Sequence, residues 1–532
     1  MEKINMEKVE IYDTTLRDGA QAEDVKFSPF DKVGIMERLD RFGVDFIEGG
    51  WPGANPKDDE FFELARKHDF KNSTLVAFGS THHKGNTAEN DKSLQALLRA
   101  GTKVITIVGK TDEFHVINAL EVSLEENLRL IKNTILHLIK NGKRVFFDAE
   151  HFFDGYKRNR QYALKCLKAA NSAGAERLIL CDTNGGTLPD QISLIVAEVK
   201  ISLPEVKFGI HAHNDIECAV ASSLAAVKRG IIQVQGTING IGERCGNANL
   251  ISIIPALKFK LGVNLAMRLS ELKELSGFVY EIANLKHFKR QPWVGGSAFA
   301  HKGGLHASAV LKNPQTYEHV SPELVGNSRK ILMSDLAGRA NLLRKAEDFG
   351  IELDKESAEL PIILKRVKEL EQLGYDFEAA DASLELLIRR QLKLHGENIF
   401  FEILKFRVTV EKGKKKDSPI NEASVMLRVG DEIKHEVAES KKGPVNALDK
   451  VLRKALEKFY PALKQVRLTD YKVRVLSEQQ GTTAKVRVWV ESVNHGTKWW
   501  TVGVSENIIE ASCLALVDSF EYFLLKNDGN SH

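Results

Sequence analysis

The sequence predicts an α/β protein in three parts. These are an N-terminal (β/α)8 TIM barrel over residues 1–276, helical linker subdomains over 277–400, and a duplicated α+β domain over 401–532. Three observations predict it. Short β-branched runs alternate with amphipathic stretches eight times in the first part. A Gly- and His-rich stretch, then a polar loop and a helical run, marks the second. Strands followed by an amphipathic helix occur twice over in the third.

The eight strand candidates are 9–15, 45–50, 73–79, 103–109, 144–150, 177–183, 206–214 and 231–239. Helical segments lie between them, among them 123–141 and 159–173, the second ending at Gly174 as a helix C-terminus should. No G-x-G-x-x-G follows the first strand, which speaks against a dinucleotide fold. From Ser357 to Lys393 one helical run is expected. The last part reads as strands in 401–412 and 423–440 with a helix at 445–459, then strands in 471–478, 482–492 and 498–506 with a helix at 507–525. Lys412–Ser418 reads as a solvated hairpin loop rather than a basic binding site.

At 532 residues the chain is too long for one core. A formal net charge of +3, with 43% hydrophobic and 28% charged residues, fits a soluble globular protein and argues against nucleic-acid or membrane-surface partners. The N-terminus has no apolar signal segment, and no stretch is long and apolar enough to span a bilayer. Five scattered cysteines without a C-x-x-C pair point to a reduced, cytoplasmic protein.

Chemistry gathers at one end of the predicted strands, where a barrel carries its reacting groups. Strand one ends in Asp13, Arg17 and Asp18, and strand two carries Glu48. Strand five ends in Asp148 and Glu150, strand six in Asp182 and Thr183, strand seven in His211 and His213, and strand eight runs into Glu243 and Asn247. In a strand, residues i and i+2 face one side, so His211 and His213 point into one space. Alone, H-x-H is more often a polar strand end. With Asp18 and Asn247 at neighbouring strand ends, a divalent metal site is the better reading, and the donor types leave Mg, Mn, Zn and Fe open. A non-haem iron oxygenase and a non-catalytic sensor are therefore kept as alternatives. Arg17 beside a metal suits stabilisation of an enolate or alkoxide oxygen. Phe78, Phe152 and Trp51 are either pocket walls or core.

DTTLRDGAQ (13–21), HAHND (211–215) and GIGERCGNANL (240–250) resemble the barrel signatures of the acetyl-CoA-dependent acyltransferases and lyases related to 2-isopropylmalate synthase. The resemblance continues through FAHKGGLHASAVLKNPQTYEHV (299–320) and reaches the duplicated module, which is similar to the regulatory domain of the synthase branch. GGWPGANPKDDEFF (49–62) and DAEHFFDGYKRN (148–159) resemble most the branch that condenses pyruvate with acetyl-CoA on a route to isoleucine. The leucine-route synthases, which take 2-ketoisovalerate, are the alternative.

The resemblance implies roles. Asp18, His211 and His213 would hold a divalent cation (Mg, Mn or Zn), with Asn247 as a further ligand or close support. Arg17 would stabilise the oxyanion, Glu150 would be the active-site carboxylate, and Thr183 and Asp148 would bind substrate. His306 and Tyr317 would complete the site for acetyl-CoA deprotonation, with His301 structural. A homodimer and an amino-acid effector, isoleucine, are also implied. One departure is that HASAV (306–310) lacks the acidic residue and glycine that often follow this histidine in the family.

Overall fold

Eight parallel strands close on themselves in sequence order, β1 Glu10–Asp13, β2 Phe46–Gly50, β3 Thr74–Ser80, β4 Val104–Lys110, β5 Arg144–Glu150, β6 Arg177–Asp182, β7 Phe208–Ala212 and β8 Gln233–Gly236. The structure is a computed structural model, and it describes residues 8–333, 338–394, 400–412, 419–476 and 484–528. Closure is made by β1 against β8, with Glu10 opposite Gln233 and Tyr12 opposite Gln235. The expected barrel is there, with β1, β7 and β8 shorter than the sequence pattern at both ends. After Asp13 the chain leaves the ladder because the Asp13 carboxylate captures the Thr15 amide and hydroxyl. β7 stops at Ala212, so His213 lies just beyond it, in an isolated bridge with Asn247.

Local chemistry sets the helix ends. Helix Pro29–Phe42 opens with a Ser28–Asp31 capping box and stops at Gly43, whose φ of 100° suits glycine. Helix Leu124–Lys140 is capped by Ser123, and helix Arg160–Ser172 runs out at Ala173–Gly174, close to expectation. Inside the barrel, Tyr12, Phe46, Val76, Val104 and Phe146 form a small sealed layer of their own. Below it Arg177 bridges to Glu10, and Gln233 donates to the same carboxylate. The lumen is a packed core whose upper end alone is left for chemistry.

The chain divides into two units, Met1–Phe299 with Val320–Arg329, and Ala300–His319 with Lys330–His532. Helix Leu272–Ile282 runs straight through the boundary expected at 276, held to helix Pro29–Phe42 by a 2.6 Å Arg38–Glu274 ion pair.

In the second unit the helical run expected from Ser357 to Lys393 is broken into helices Glu359–Gln372 and Asp381–Gln391. The break is at Gly374, φ 111°, where a Cβ would meet Leu476. The duplicated module is as the sequence predicts in its plan. Strands Glu402–Glu411, Ile420–Val429 and Glu432–Ser440 form one antiparallel sheet, followed by helix Pro444–Leu456. Strands Arg467–Val475, Val486–Asn494 and Thr497–Ser505 form the second, followed by helix Ile508–Asp528. Leu448, Val451, Leu452, Leu516 and Phe520 from the two helices meet Val425, Leu427, Val488 and Val490 from the two sheets in one core. The proposed hairpin loop Lys412–Ser418 lies, after Lys412, outside the described residues. Among the described residues no helix is long and apolar enough to cross a membrane. All five cysteines are free.

Candidate metal centre and active site

Three strand ends of the barrel, those of β1, β7 and β8, converge on one carboxylate. Asp18 follows β1, and its Oδ2 accepts from Asn247 Nδ2 at 2.8 Å, lies 3.3 Å from Arg17 Nη1, and is 3.2 Å and 3.9 Å from Nε2 of His211 and His213. All but Arg17 are buried, Asp18 at 2% exposure and the two histidines at 5% and 7%. One donor atom from each of Asp18, His211 and His213 falls within 4.8 Å of the others. Burial works against the charge on Asp18, but Arg17 and then His211 more than offset it and hold the carboxyl well below its usual range. His211 is pushed down by burial, yet Asp18 more than offsets this and raises it. His213 goes the other way, lowered to about 4 by burial and by neighbouring His211.

The donor set fits a divalent cation. His211 Nδ1 is 2.9 Å from Gln235 Oε1, an oxygen that can only accept, so Nδ1 carries a proton and Nε2 is the nitrogen turned to Asp18. Without a cation that nitrogen holds a proton toward Asp18, and once the proton is lost its lone pair is free to ligate. Asn247 adds a second sign, because its Oδ1 is buried and has no hydrogen-bond partner. His213 differs. Its Nδ1 faces the Arg244 guanidinium at 3.1 Å, and Arg244 can only donate, so ligation through Nε2 needs Arg244 to draw back. Arg244 is held from outside, by Asp215 and the Thr183 carbonyl.

Arg17 is fixed from beneath. Its Nε donates to Glu48 Oε1 at 2.6 Å, and Tyr12 Oη donates to Glu48 Oε2, also at 2.6 Å. Its guanidinium carbon lies 3.9 Å over the Phe78 ring, which meets Trp51 edge-on. Burial works against the Arg17 charge, but Asp18 and Glu48 more than offset it and raise its pKa. Asp148 is pushed up to about 7, by burial first and then by Glu48, and its Oδ1 accepts from Gln235 Nε2 at 3.3 Å.

These groups line a cavity of about 360 Å3 at the C-terminal ends of the strands. Arg17, Asp18, Asp148, Glu150, Thr183, His211 and His213 all face it. Thr183 Oγ1 accepts from the His151 amide, which leaves its hydroxyl proton free to donate. Glu150 pairs with Lys110 at 2.6 Å. Trp51 and Phe78 are cavity walls, whereas Phe152 is wholly buried in the barrel's outer core. His306 and Tyr317 belong to the second unit, where their rings stack at 4.1 Å and both are exposed. His301 there reaches Glu318 at 3.1 Å, as a structural histidine would.

Sequence reasoning placed Lys110 at the end of strand four without giving it a role, and it missed Gln235 and Arg244. A signal for Gln235 existed, since Gln233 and Gln235 put two amides on one face of an otherwise apolar strand.

The HMGL-like family model matches residues 8–279, the homocitrate synthase post-HMGL domain-like model 293–374, and the LeuA allosteric (dimerisation) domain model 378–524. The chain is 54% identical to an (R)-citramalate synthase of Geobacter sulfurreducens, over 98% of this chain and 99% of the relative. It is also 54% identical to one of Aquifex aeolicus, over the same shares. Identity to a probable 2-isopropylmalate synthase of Methanopyrus kandleri is 34%, over 96% of this chain and 97% of the relative.

Proposed function

The chain belongs to the HMGL-like family, in its (R)-citramalate synthase branch, and from that premise we propose that it joins acetyl-CoA to pyruvate, giving (R)-citramalate and free CoA. It is an acyltransferase, with a LeuA domain that implies dimerisation and effector regulation. The observation that carries the reading is the buried Asp18–His211–His213 set beside the orphaned Asn247 oxygen.

Asp18, His211 and His213 would hold a divalent cation, Mg, Mn or Zn, with Asn247 Oδ1 beside them. That cation supplies Lewis acidity for the keto-acid carbonyl. The Thr183 hydroxyl donates to the keto-acid carboxylate. A base takes a methyl proton from the thioester, and the resulting enolate carbon bonds to the keto carbon, whose π electrons move to its oxygen. Arg17, immobilised by Glu48, aims its remaining N–H groups at that oxygen. Water then cleaves the thioester and CoA leaves as the thiol. His306, with Tyr317 stacked on it, is the proposed base, and Glu150, paired with Lys110, the proposed carboxylate that orients a water. Asp148 is proposed to act under the substrate rather than on it, since Gln235 engages its Oδ1.

The domain roles follow as proposals. Residues 1–276 carry catalysis, 277–400 complete the site, and 401–532 regulate. The regulatory module has a cavity of about 630 Å3 bordered by Val445, Asp449, Arg453, Val466 and Tyr471. Asp449 and Arg453 pair with each other at 3.0 Å, and the ammonium and carboxylate of a branched amino acid, isoleucine, are proposed to part them while its side chain meets the apolar walls. Asp449→Asn is expected to weaken isoleucine inhibition at least tenfold with turnover kept, and unchanged inhibition removes this site. The free cysteines fit a reducing, cytoplasmic setting.

The deciding experiment measures CoA thiol release from acetyl-CoA with Mg or Mn, offering pyruvate, 2-ketoisovalerate and 2-ketoglutarate separately. Preference for pyruvate is expected. Preference for 2-ketoisovalerate would move the chain to the leucine route, and no thiol with any acceptor would overturn the acyl-transfer reading.

A further inference from the structure

Gln235 is fully buried near the middle of the barrel wall, paired in register with Tyr12 of β1 on one side and His211 of β7 on the other. Its amide oxygen faces His211 Nδ1 at 2.9 Å and its amide nitrogen faces Asp148 Oδ1, on β5, at 3.3 Å. Every contact along this chain pairs a donor with an acceptor, running from ring N–H to amide oxygen and from amide N–H to carboxylate. Turning the amide over would set its oxygen against the carboxylate.

We infer that Gln235, anchored by Asp148, is a positioning residue that locks His211 in the Nδ1–H tautomer and thereby presents Nε2 to the cation. The inference rests on the metal site of the proposed function and deepens it.

Packing gives no reason for these groups. The neighbouring layer of the lumen is filled by Tyr12, Phe46, Val76, Val104 and Phe146. An amide and a carboxylate cost desolvation where apolar side chains would serve. The arrangement matches what metal-binding histidines require, since the outer nitrogen must hold a proton for the inner one to ligate, and an outer acceptor also fixes the ring plane. The two histidines differ in this respect. His211 is locked from inside by a fully buried partner, whereas His213 faces the half-exposed Arg244. His211 is therefore the fixed ligand of the set and His213 the adjustable one.

The test uses the full-length protein, wild type against Gln235→Met and Gln235→Asn. Methionine keeps the volume without an acceptor, and asparagine keeps the amide one methylene short of the ring. Two quantities are read: the dissociation constant for Mn2+ by electron paramagnetic resonance titration, and the His211 tautomer from imidazole 15N shifts in metal-free protein at a pH high enough for the ring to be neutral. Expected are a roughly 10–100-fold weaker Mn2+ affinity in each folded variant and loss of the pure Nδ1–H signature that wild type shows. Wild-type affinity in either folded variant overturns the inference, as does a wild-type His211 that is not Nδ1–H. A wild-type protein that binds no Mn2+ fails the metal reading instead, and the tautomer measurement then still decides the role of Gln235.

Discussion

At the top of the barrel, Asp18, Glu48, Asp148, His211 and His213 lie between 0% and 7% exposed. In the C-terminal module the side chains sealed to that degree are mostly apolar, Val425, Leu448, Leu452, Val488 and Leu516 among them, with a single carboxylate among the described residues, Glu521, that pairs with Arg390. The module's buried polar groups include hydroxyls with simple partners, such as Ser492 with Ser519 and Thr501 with the Ala515 carbonyl. Both regions are well packed, so packing does not separate them. The barrel concentrates ionisable groups where burial is costly, and that cost is explained only by what the groups do together. Apart from the Glu521–Arg390 pair, the module buries what any helix-backed sheet would bury, and its function must come from its surfaces and its cavity.

The comparison is sharpest at Arg17. Arg17→Ala is expected to lower kcat about 100–1000-fold, the range for losing one oxyanion donor, with the C-terminal unit still folded. Near-normal thiol release in this variant would break the assignment. Leu452→Ala in the module is the mirror experiment. It is expected to cost about 2–5 kcal/mol in denaturant unfolding of that unit, with turnover per folded molecule unchanged. A large fall in kcat there would show that the module supports the chemistry directly.

A third prediction uses pH. Burial pushes the Asp13 carboxyl up to about 7, and the two Thr15 hydrogen bonds only partly counter it. The unfolded chain ionises Asp13 near its ordinary value while the fold holds the proton. This contribution is therefore fully present below pH ~4 and lost as pH rises to about 7. Asp13→Asn should thus gain stability relative to wild type at pH 8 but not at pH 4, read by denaturant melts at both. A pH-independent difference would place Asp13 outside the buried-charge group.

The smallest effect concerns the thiols. Burial raises Cys166 and Cys513 to about 12 and Cys181 well above its ordinary value, while Cys245 is exposed. Iodoacetamide at pH 8 should label Cys245 first and the other three only after denaturation, by peptide mass mapping. Early labelling of Cys181, a wall of the barrel cavity, with Cys513 protected, would mean the lumen opens more readily than the module.

Much of this was legible in the sequence. The eight strands are local patterns, and His211-Ala212-His213 declares itself through strand periodicity. Asp18, Arg17 and Asn247 stood at strand ends in recognisable motifs. What could not be read was pairing across the barrel. Lys110 meets Glu150 because β4 adjoins β5, and Gln235 meets His211 because β7 adjoins β8. Neither residue type announces a role without its partner. The break at Gly374 was equally hidden, since a glycine inside a helical pattern is tolerated until a neighbour such as Leu476 leaves it no alternative.

Barrel closure has a consequence for how the protein is made. Asp18 comes from the start of the chain, and Asn247, which donates to it, lies 229 residues later. A chain emerging from the ribosome therefore has Asp18 long before it has the groups that will surround it. No half-made barrel can offer the full donor set, and a lone carboxylate holds a cation weakly. Capture of an ion there would in this way report that the eighth strand has docked, and a pulse of labelled synthesis followed by metal retention would time the last step of folding without any assay of turnover.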